Sequence, residues 1–222
     1  MSDHSLQDDL KACDAGQIPS PFGEMELVVL GSPASVQSTK HVKDTYLASI
    51  KAQIAQFKFL LTGELMLDVI WLLPAKSRFE TDAKADIDNC IKPIIDAFTG
   101  PDGLFVDDCQ LKGLYICWRH IESGDERLHF QFKFHPEDFA DKDGFAFLRL
   151  EKNLCTHVST LWPLPLRVGW VALMKTNQLT KGALEKLGAS YLPGASLLGG
   201  RPFHISRVQS FPVFKTAGEF LK

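Results

Sequence analysis

Two hydrophobic rhythms alternate along the chain. Met25 to Leu30 is a short apolar run ended by Gly31-Ser32-Pro33, which predicts a buried strand and a turn. From Thr39 to Phe59 the apolar positions Val42, Tyr46, Leu47, Ile50, Ile54 and Phe57 recur at spacings of three and four between lysines, the pattern of an amphipathic helix. Glu64 to Leu73 is rich in branched residues and stops at Pro74, predicting a second strand, with Ala75 to Lys84 as a polar loop. Ile87, Ile91, Ile94, Ile95 and Phe98 then define one apolar face of a helix that ends near Gly100. Leu111 to Arg119 reads as a strand. After a turn at Ser123-Gly124-Asp125, Leu128, Phe130, Phe132 and Phe134 alternate strictly with polar residues as far as His135, predicting a half-buried strand that forms an antiparallel hairpin with the one before it.

Strand, helix, strand, helix and hairpin imply an α+β domain of two layers over residues 24–139, a mixed β-sheet with helices packed on it. Residues 1–23 are expected to be a flexible extension. Pro136 to Gly144 is acidic and carries chain breakers, so it predicts a boundary. Beyond it, 144–222 is a C-terminal extension and candidate accessory domain, whose short segments are punctuated by Pro163, Pro165, Pro193, Pro202, Pro212 and Gly199-Gly200. No run of 18 apolar residues exists, and Met1 to Leu10 lacks the basic and apolar regions of a secretory signal, so the expectation is a soluble, cytoplasmic protein with no membrane partner. The five cysteines have no zinc-closing spacing and are expected to be reduced thiols.

Charge changes the picture. The formal net charge of -3 is unevenly spread, because residues 144–222 carry ten basic and three acidic side chains, a local excess of +7. A basic surface raises the local concentration of a polyanion. Arg149, Lys152, Arg167, Lys175, Arg201 and Arg207 are therefore candidate phosphate contacts, with Lys181, Lys186, Lys215 and Lys222 completing the basic set. The aromatic residues between them, Trp162, Trp170, Tyr191, Phe203, Phe211 and Phe214, read first as the extension's own core and second as stacking partners for unpaired bases.

The strongest chemical signal is a pair of acidic clusters flanking the isoleucine-faced helix: Asp86-Ile-Asp-Asn89 at its start, and Asp107-Asp108 after it. Crowded carboxylates repel unless a cation sits between them, and an all-oxygen donor set suits magnesium. Lys92 and Asp96 follow Asp88 at four-residue steps, so the three share one helical face opposite the isoleucines, and Lys92 is expected to point toward the carboxylates. A lysine so placed can offset charge that grows on a phosphate, while a metal activates water. Asp107 and Asp108 are expected in a strand, where they point to opposite faces and only one joins the site. Taken singly, such aspartates are ordinary caps and turns. Five of them with a lysine around one apolar helix are not explained by that role.

These residues, with Lys92, Asp96-Ala97, Asp107-Asp108-Cys-Gln110 and the early turn Gly31-Ser-Pro-Ala-Ser35, closely resemble the signature of RusA-like Holliday junction resolvases. The resemblance is strong in the motif region and follows the element order over roughly residues 24 to 136. It implies a dimeric endodeoxyribonuclease that depends on Mg2+, with Mn2+ as a substitute, and cuts branched DNA symmetrically in recombination and repair. It further implies that Asp86, Asp88 and Asp108 bind metal, that Lys92 is catalytic, and that Asn89, Asp96 and Asp107 support them. Three features depart from a simple match: Pro93 lies within the helix, the core region is acidic, and the family leaves 144–222 unexplained. The competing reading is a non-catalytic module for branched or single-stranded nucleic acid, or for a protein partner, on a retained resolvase fold.

Overall fold

The computed structural model describes residues 6–81, 86–122 and 124–222, and divides into two compact units, one up to Phe139 and one over Ala140–Lys222. In the first unit the chain forms α1 (Leu6–Asp14), β1 (Glu24–Leu30), α2 (Lys40–Ile54), β2 (Phe59–Leu61), β3 (Leu65–Pro74), α3 (Ala75–Phe79), α4 (Ile87–Phe98), a 3-10 turn (Asp108–Gln110), β4 (Leu111–Ile121) and β5 (Arg127–Phe134). The main sheet has the order β1-β5-β3-β4, with β4 parallel to β3 and the other pairs antiparallel. It is a mixed sheet with helices packed on it, an α+β architecture.

Alternation decides which face is covered. Leu27 and Val29 of β1, Leu128, Phe130 and Phe132 of β5, and Leu65, Leu67, Val69, Trp71 and Leu73 of β3 are buried in one cluster with Tyr46, Ile50 and Ile54 of α2 and Cys90, Ile94, Ala97 and Phe98 of α4. The opposite face mixes exposed Val28, Leu30 and Met66 with polar pairs across strands, where Lys133 pairs with Asp68 at 2.8 Å and Gln131 donates to Glu24 at 3.3 Å. Phe98 fixes α4 on the sheet, its ring lying edge-on to both Phe130 and Phe132 at 5.0 Å.

Three expectations for this unit are corrected. The last two strands do not form a hairpin, because β5 inserts between β1 and β3. The six steps from Ile121 to Arg127 reach up to about 20 Å, whereas a next-but-one strand is only about 9.5 Å away, so a short link spans either arrangement. Glu126 secures the crossing: its carboxylate accepts from Trp71 Nε1 on β3 at 2.8 Å, and its carbonyl accepts from Gly31 N–H beyond β1 at 2.7 Å. Second, part of the expected loop 75–84 is helical, as α3, while 82–85 and Ser123 of the expected turn lie outside the described residues. Third, the supposedly flexible 1–23 segment contains α1, and Lys58 N–H donates to the Gly16 carbonyl at 2.8 Å.

After β6 (Phe139–Asp141), which crosses the division, the second unit contains β7 (Phe145–Arg149), β8 (Leu154–Ser159), α5 (Leu164–Lys186), α6 (Tyr191–Ala195), β9 (Phe203–His204), β10 (Val213–Phe214) and α7 (Ala217–Phe220). Its sheet runs β10-β7-β8-β9. The expectation of short, punctuated segments fails at α5, which is 23 residues long. Pro163 caps that helix and Pro165 sits in its first turn, where a missing N–H has no intrahelical partner to lose. The aromatics do pack a core: Phe147 touches Phe145, Phe203 and Phe211 at 5.2, 5.6 and 5.4 Å.

Replacing Phe98 by Ala removes the ring that joins α4 to β5, and is expected to cost about 3–5 kcal/mol. Urea unfolding followed by tryptophan fluorescence measures it; a loss below about 1 kcal/mol would contradict this packing.

Candidate active site

The buried stripe of α4 is Cys90, Pro93, Ile94, Ala97 and Phe98, so the opposite stripe must face solvent. That exposed stripe is Asp88, Lys92 and Asp96. Asp86 is the N-cap residue, extended at φ -71 and ψ 155, and its side chain makes no capping bond. Both carboxylates therefore stand at the positive end of the helix dipole.

Lys92 is aimed differently from the sequence expectation. Its ammonium donates to Asp96 Oδ1 at 2.6 Å rather than turning back to Asp86 and Asp88. That bond raises the lysine pKa; desolvation opposes it, and the charges of Asp96, Asp108 and Asp107 add to it. Lys92 thus belongs electrostatically with the second acidic cluster, and Asp96 holds it in place.

Pro93 lies in the middle of α4, and the helix accommodates it by exporting one hydrogen bond. Pro93 has no N–H to offer the carbonyl of Asn89, four residues earlier. That carbonyl instead accepts from the Val36 N–H at 2.8 Å. Val36 is also held through its own carbonyl by Lys43 Nζ at 2.6 Å, so the turn after β1 is tied to both helices. The role of Asn89 visible here is carried by its backbone.

The second cluster is delivered by a hydrogen-bonded turn, not a strand. Asp107 caps the 3-10 turn by accepting from Cys109 N–H at 3.0 Å, and Asp108 is the first residue inside it. Gln110, fully buried, locks this turn to the sheet. Its Oε1 accepts from the N–H groups of Val106 and Asp107 at 2.7 and 3.0 Å, and its Nε2 donates to the carbonyls of Leu61 and Gly63 at 3.0 and 2.7 Å. The spacing Asp107-x-x-Gln110 is a capping box, a signal already present in the sequence.

Two further residues reach the start of α4. Arg78 of α3 places a guanidinium nitrogen 3.9 Å from Asp86 Oδ1 and stacks 3.9 Å over the Trp118 ring. The pKa of the Cys90 thiol is pushed up to about 11 by burial, and further by the charges of Asp86, Asp88 and Glu126, which puts Glu126 in the same electrostatic neighbourhood. Neither Arg78 nor Glu126 carried a sequence signal, since one lies in an expected loop and the other in a turn. Among the described residues no group of three His, Cys, Asp or Glu side chains is gathered closely enough to hold a metal.

The basic candidates of the second unit divide. Arg167 is committed to its own fold, donating to the carbonyls of Trp162, Phe220 and Thr160 at 2.8, 3.2 and 2.5 Å, and this structural role replaces the expected phosphate contact. Lys181, 1 % exposed, pairs with Glu185 at 2.5 Å and lies 4.9 Å from the Tyr191 ring. Arg149, Lys152, Lys175 and Arg207 are exposed, with Arg149 bonded to Asn153 at 2.6 Å and Lys152 3.8 Å from Glu185. Arg201 is half-buried and 4.8 Å from the Phe203 ring.

Gln110→Ala leaves two buried carbonyls and two N–H groups short of their partner, and is expected to destabilise the protein by about 2–4 kcal/mol. Gln110→Glu, which keeps the acceptor and loses the two donors, should also destabilise. Denaturant titration of both variants checks this, and wild-type stability in each would refute the anchor.

No curated protein matches the chain. A family model does: residues 35–129 match Endodeoxyribonuclease RusA, a span that runs from the turn after β1 through both acidic clusters and into β5. Residues 35–129 thus make up a RusA-like domain, similar to the endodeoxyribonucleases of the Holliday junction resolvase family.

Proposed function

We propose that this chain is a divalent-metal-dependent endonuclease that hydrolyses phosphodiesters in four-way and related branched DNA. The observation that carries this reading is the arrangement around α4. One solvent-facing stripe bears Asp88, Lys92 and Asp96, Asp86 stands at the helix start, and a turn anchored by Gln110 sets Asp107 and Asp108 within electrostatic reach of Lys92.

The donor set suits Mg2+, with Mn2+ as a substitute: it is all oxygen, and magnesium binds through one or two carboxylates while waters and substrate phosphate complete its octahedron. Asp86, Asp88 and Asp108 are the residues that would hold it, and they would have to draw together to do so, since they are not gathered into a metal-binding group in this structure. When bound, the metal supplies Lewis acidity and an activated water. Lys92 keeps its proton through the Asp96 bond and offsets charge that develops on the phosphate. Asp96 orients Lys92, Asp107 caps the turn, and Asn89 holds the loop after β1 through its carbonyl. As in the family, the active form would be a homodimer, since a two-fold pair presents one site to each of two symmetry-related strands. DNA would be held partly by Arg149, Lys152, Lys175, Arg201 and Arg207. Among the described residues no helix is long and apolar enough to cross a membrane, and all five cysteines are thiols, which fits recombination and repair work in the cytoplasm.

On a synthetic four-way junction with magnesium, Asp88→Asn is expected to lower the cleavage rate by at least about 100-fold while binding persists. Equal cutting by the variant and wild type would remove the nuclease assignment and leave branched-DNA binding as the function. For Asp96→Asn the expected change is in the pH profile. The carboxylate is the first cause of the raised Lys92 pKa, so its loss lets the lysine deprotonate earlier and shifts the alkaline limb of kcat/KM to lower pH. An unmoved limb would separate Lys92 from catalysis. The combined change of Arg149, Lys175 and Arg207 to alanine should flatten the slope of log affinity against log salt by about 0.9 for each phosphate no longer neutralised. An unaltered slope would exclude these residues from DNA contact.

A further inference from the structure

Phe79 is 75 % exposed, and its ring lies 4.9 Å from that of His120. Beside it, Arg78 rests 3.9 Å over Trp118 with its guanidinium 3.9 Å from Asp86. Trp118 and His120 are two apart on β4, so one strand end supplies both supporting rings on the same side. Lys76 and Phe79 also line a hollow of about 380 Å³ with Pro74, Glu80, Ile121 and Glu122. An aromatic surface, the Arg78 guanidinium, a Lys76–Glu80 ion pair and a candidate metal-binding carboxylate are thus presented around one short element.

We propose that α3 is a nucleotide-gripping station: Phe79, backed by His120, stacks on an unpaired nucleobase at the branch of a DNA substrate, and Arg78 takes the adjoining phosphate. This rests on the branched-DNA reading and adds to it a means of selecting structure. In a duplex both faces of each base are covered by neighbours, whereas a base at a branch offers an uncovered face to a ring. Stacking of that kind is indifferent to the negative charge of the surrounding protein, which phosphate contacts are not. Arg78 is suited to exchange partners. It now balances Asp86, and a divalent ion at Asp86 would take over that balance and leave the guanidinium to a phosphate oxygen. Lys76 is paired with Glu80 at 3.7 Å and Glu122 lies in the same hollow, so the phosphate contact is assigned to Arg78 alone and the stacking surface to Phe79.

The test uses the full-length protein, in EDTA and again in calcium, with 2-aminopurine at an unpaired position of a synthetic junction and a matched duplex as control. Phe79→Ala is expected to weaken junction binding about 5- to 150-fold, with duplex binding unchanged and the 2-aminopurine quenching lost. Phe79→Trp should retain both affinity and quenching, and Arg78→Ala should weaken junction binding with quenching kept. Junction affinity and quenching in Phe79→Ala equal to wild type would overturn the station. So would a smaller sedimenting species with quenching intact, which would assign Phe79 to a contact between copies of the chain. Cleavage by the wild type in magnesium is scored separately. A wild type that cuts junctions while Phe79→Ala binds normally refutes the station alone, and one that neither binds nor cuts refutes the nuclease reading with it.

Discussion

The site depends on α4 having only one side to bury. With Phe98 seated against Phe130 and Phe132, and Cys90, Ile94 and Ala97 following it into the core, the helix has no rotational freedom left. Asp88, Lys92 and Asp96 are charged and face water because the apolar stripe decides their direction. The repulsion between the two acidic clusters is small beside the burial of that stripe. The second cluster is held by the same logic in another form: Gln110, uncharged and buried, fastens the aspartate turn to the backbone of β2 and the loop after it.

Much of this was legible in the sequence, and the failures have physical reasons. The apolar period of α2 and α4 and the alternation in β5 are local properties, and they named Tyr46, Ile50, Ile54, Ile94, Phe98, Leu128, Phe130 and Phe132 of the core, while Val42 is exposed and the buried Cys90 and Ala97 lay off the expected face. Strand neighbours are not local. The alternation of Leu128, Phe130 and Phe132 says which face is buried, but it is silent on whether β5 lies beside β4 or crosses to β1. Pro163 and Pro165 looked like interruptions because a proline reads as a breaker unless the helix start is known. At the candidate site, spacing singled out the acidic residues, while the partner of Lys92 did not follow from it. Asp96 and Asp88 are equally distant along the helix, so spacing alone does not choose between them. Arg78 was invisible because it enters from a segment whose sequence carries no strong period.

Pro93 shows how a local fault is used. An interior proline ordinarily weakens a helix, yet here the carbonyl it releases becomes the docking point for Val36. The loop after β1 is thereby coupled to the element that carries the carboxylates, and Lys43 extends the coupling to α2. The acidic character of the first unit is offset at Asp86 by one guanidinium rather than by a basic surface.

The insertion of β5 between β1 and β3 also sets an order of assembly. Glu24 pairs with Lys133, and Leu65 with Phe134, so the two rings that receive Phe98 arrive with the last strand of the unit. Contacts of such sequence separation form late and slowly, after the cost of closing a long loop. On a ribosome, α4 and its acids therefore emerge before the surface that orients them. The nascent chain carries every group of the site but cannot arrange them until β5 has been made.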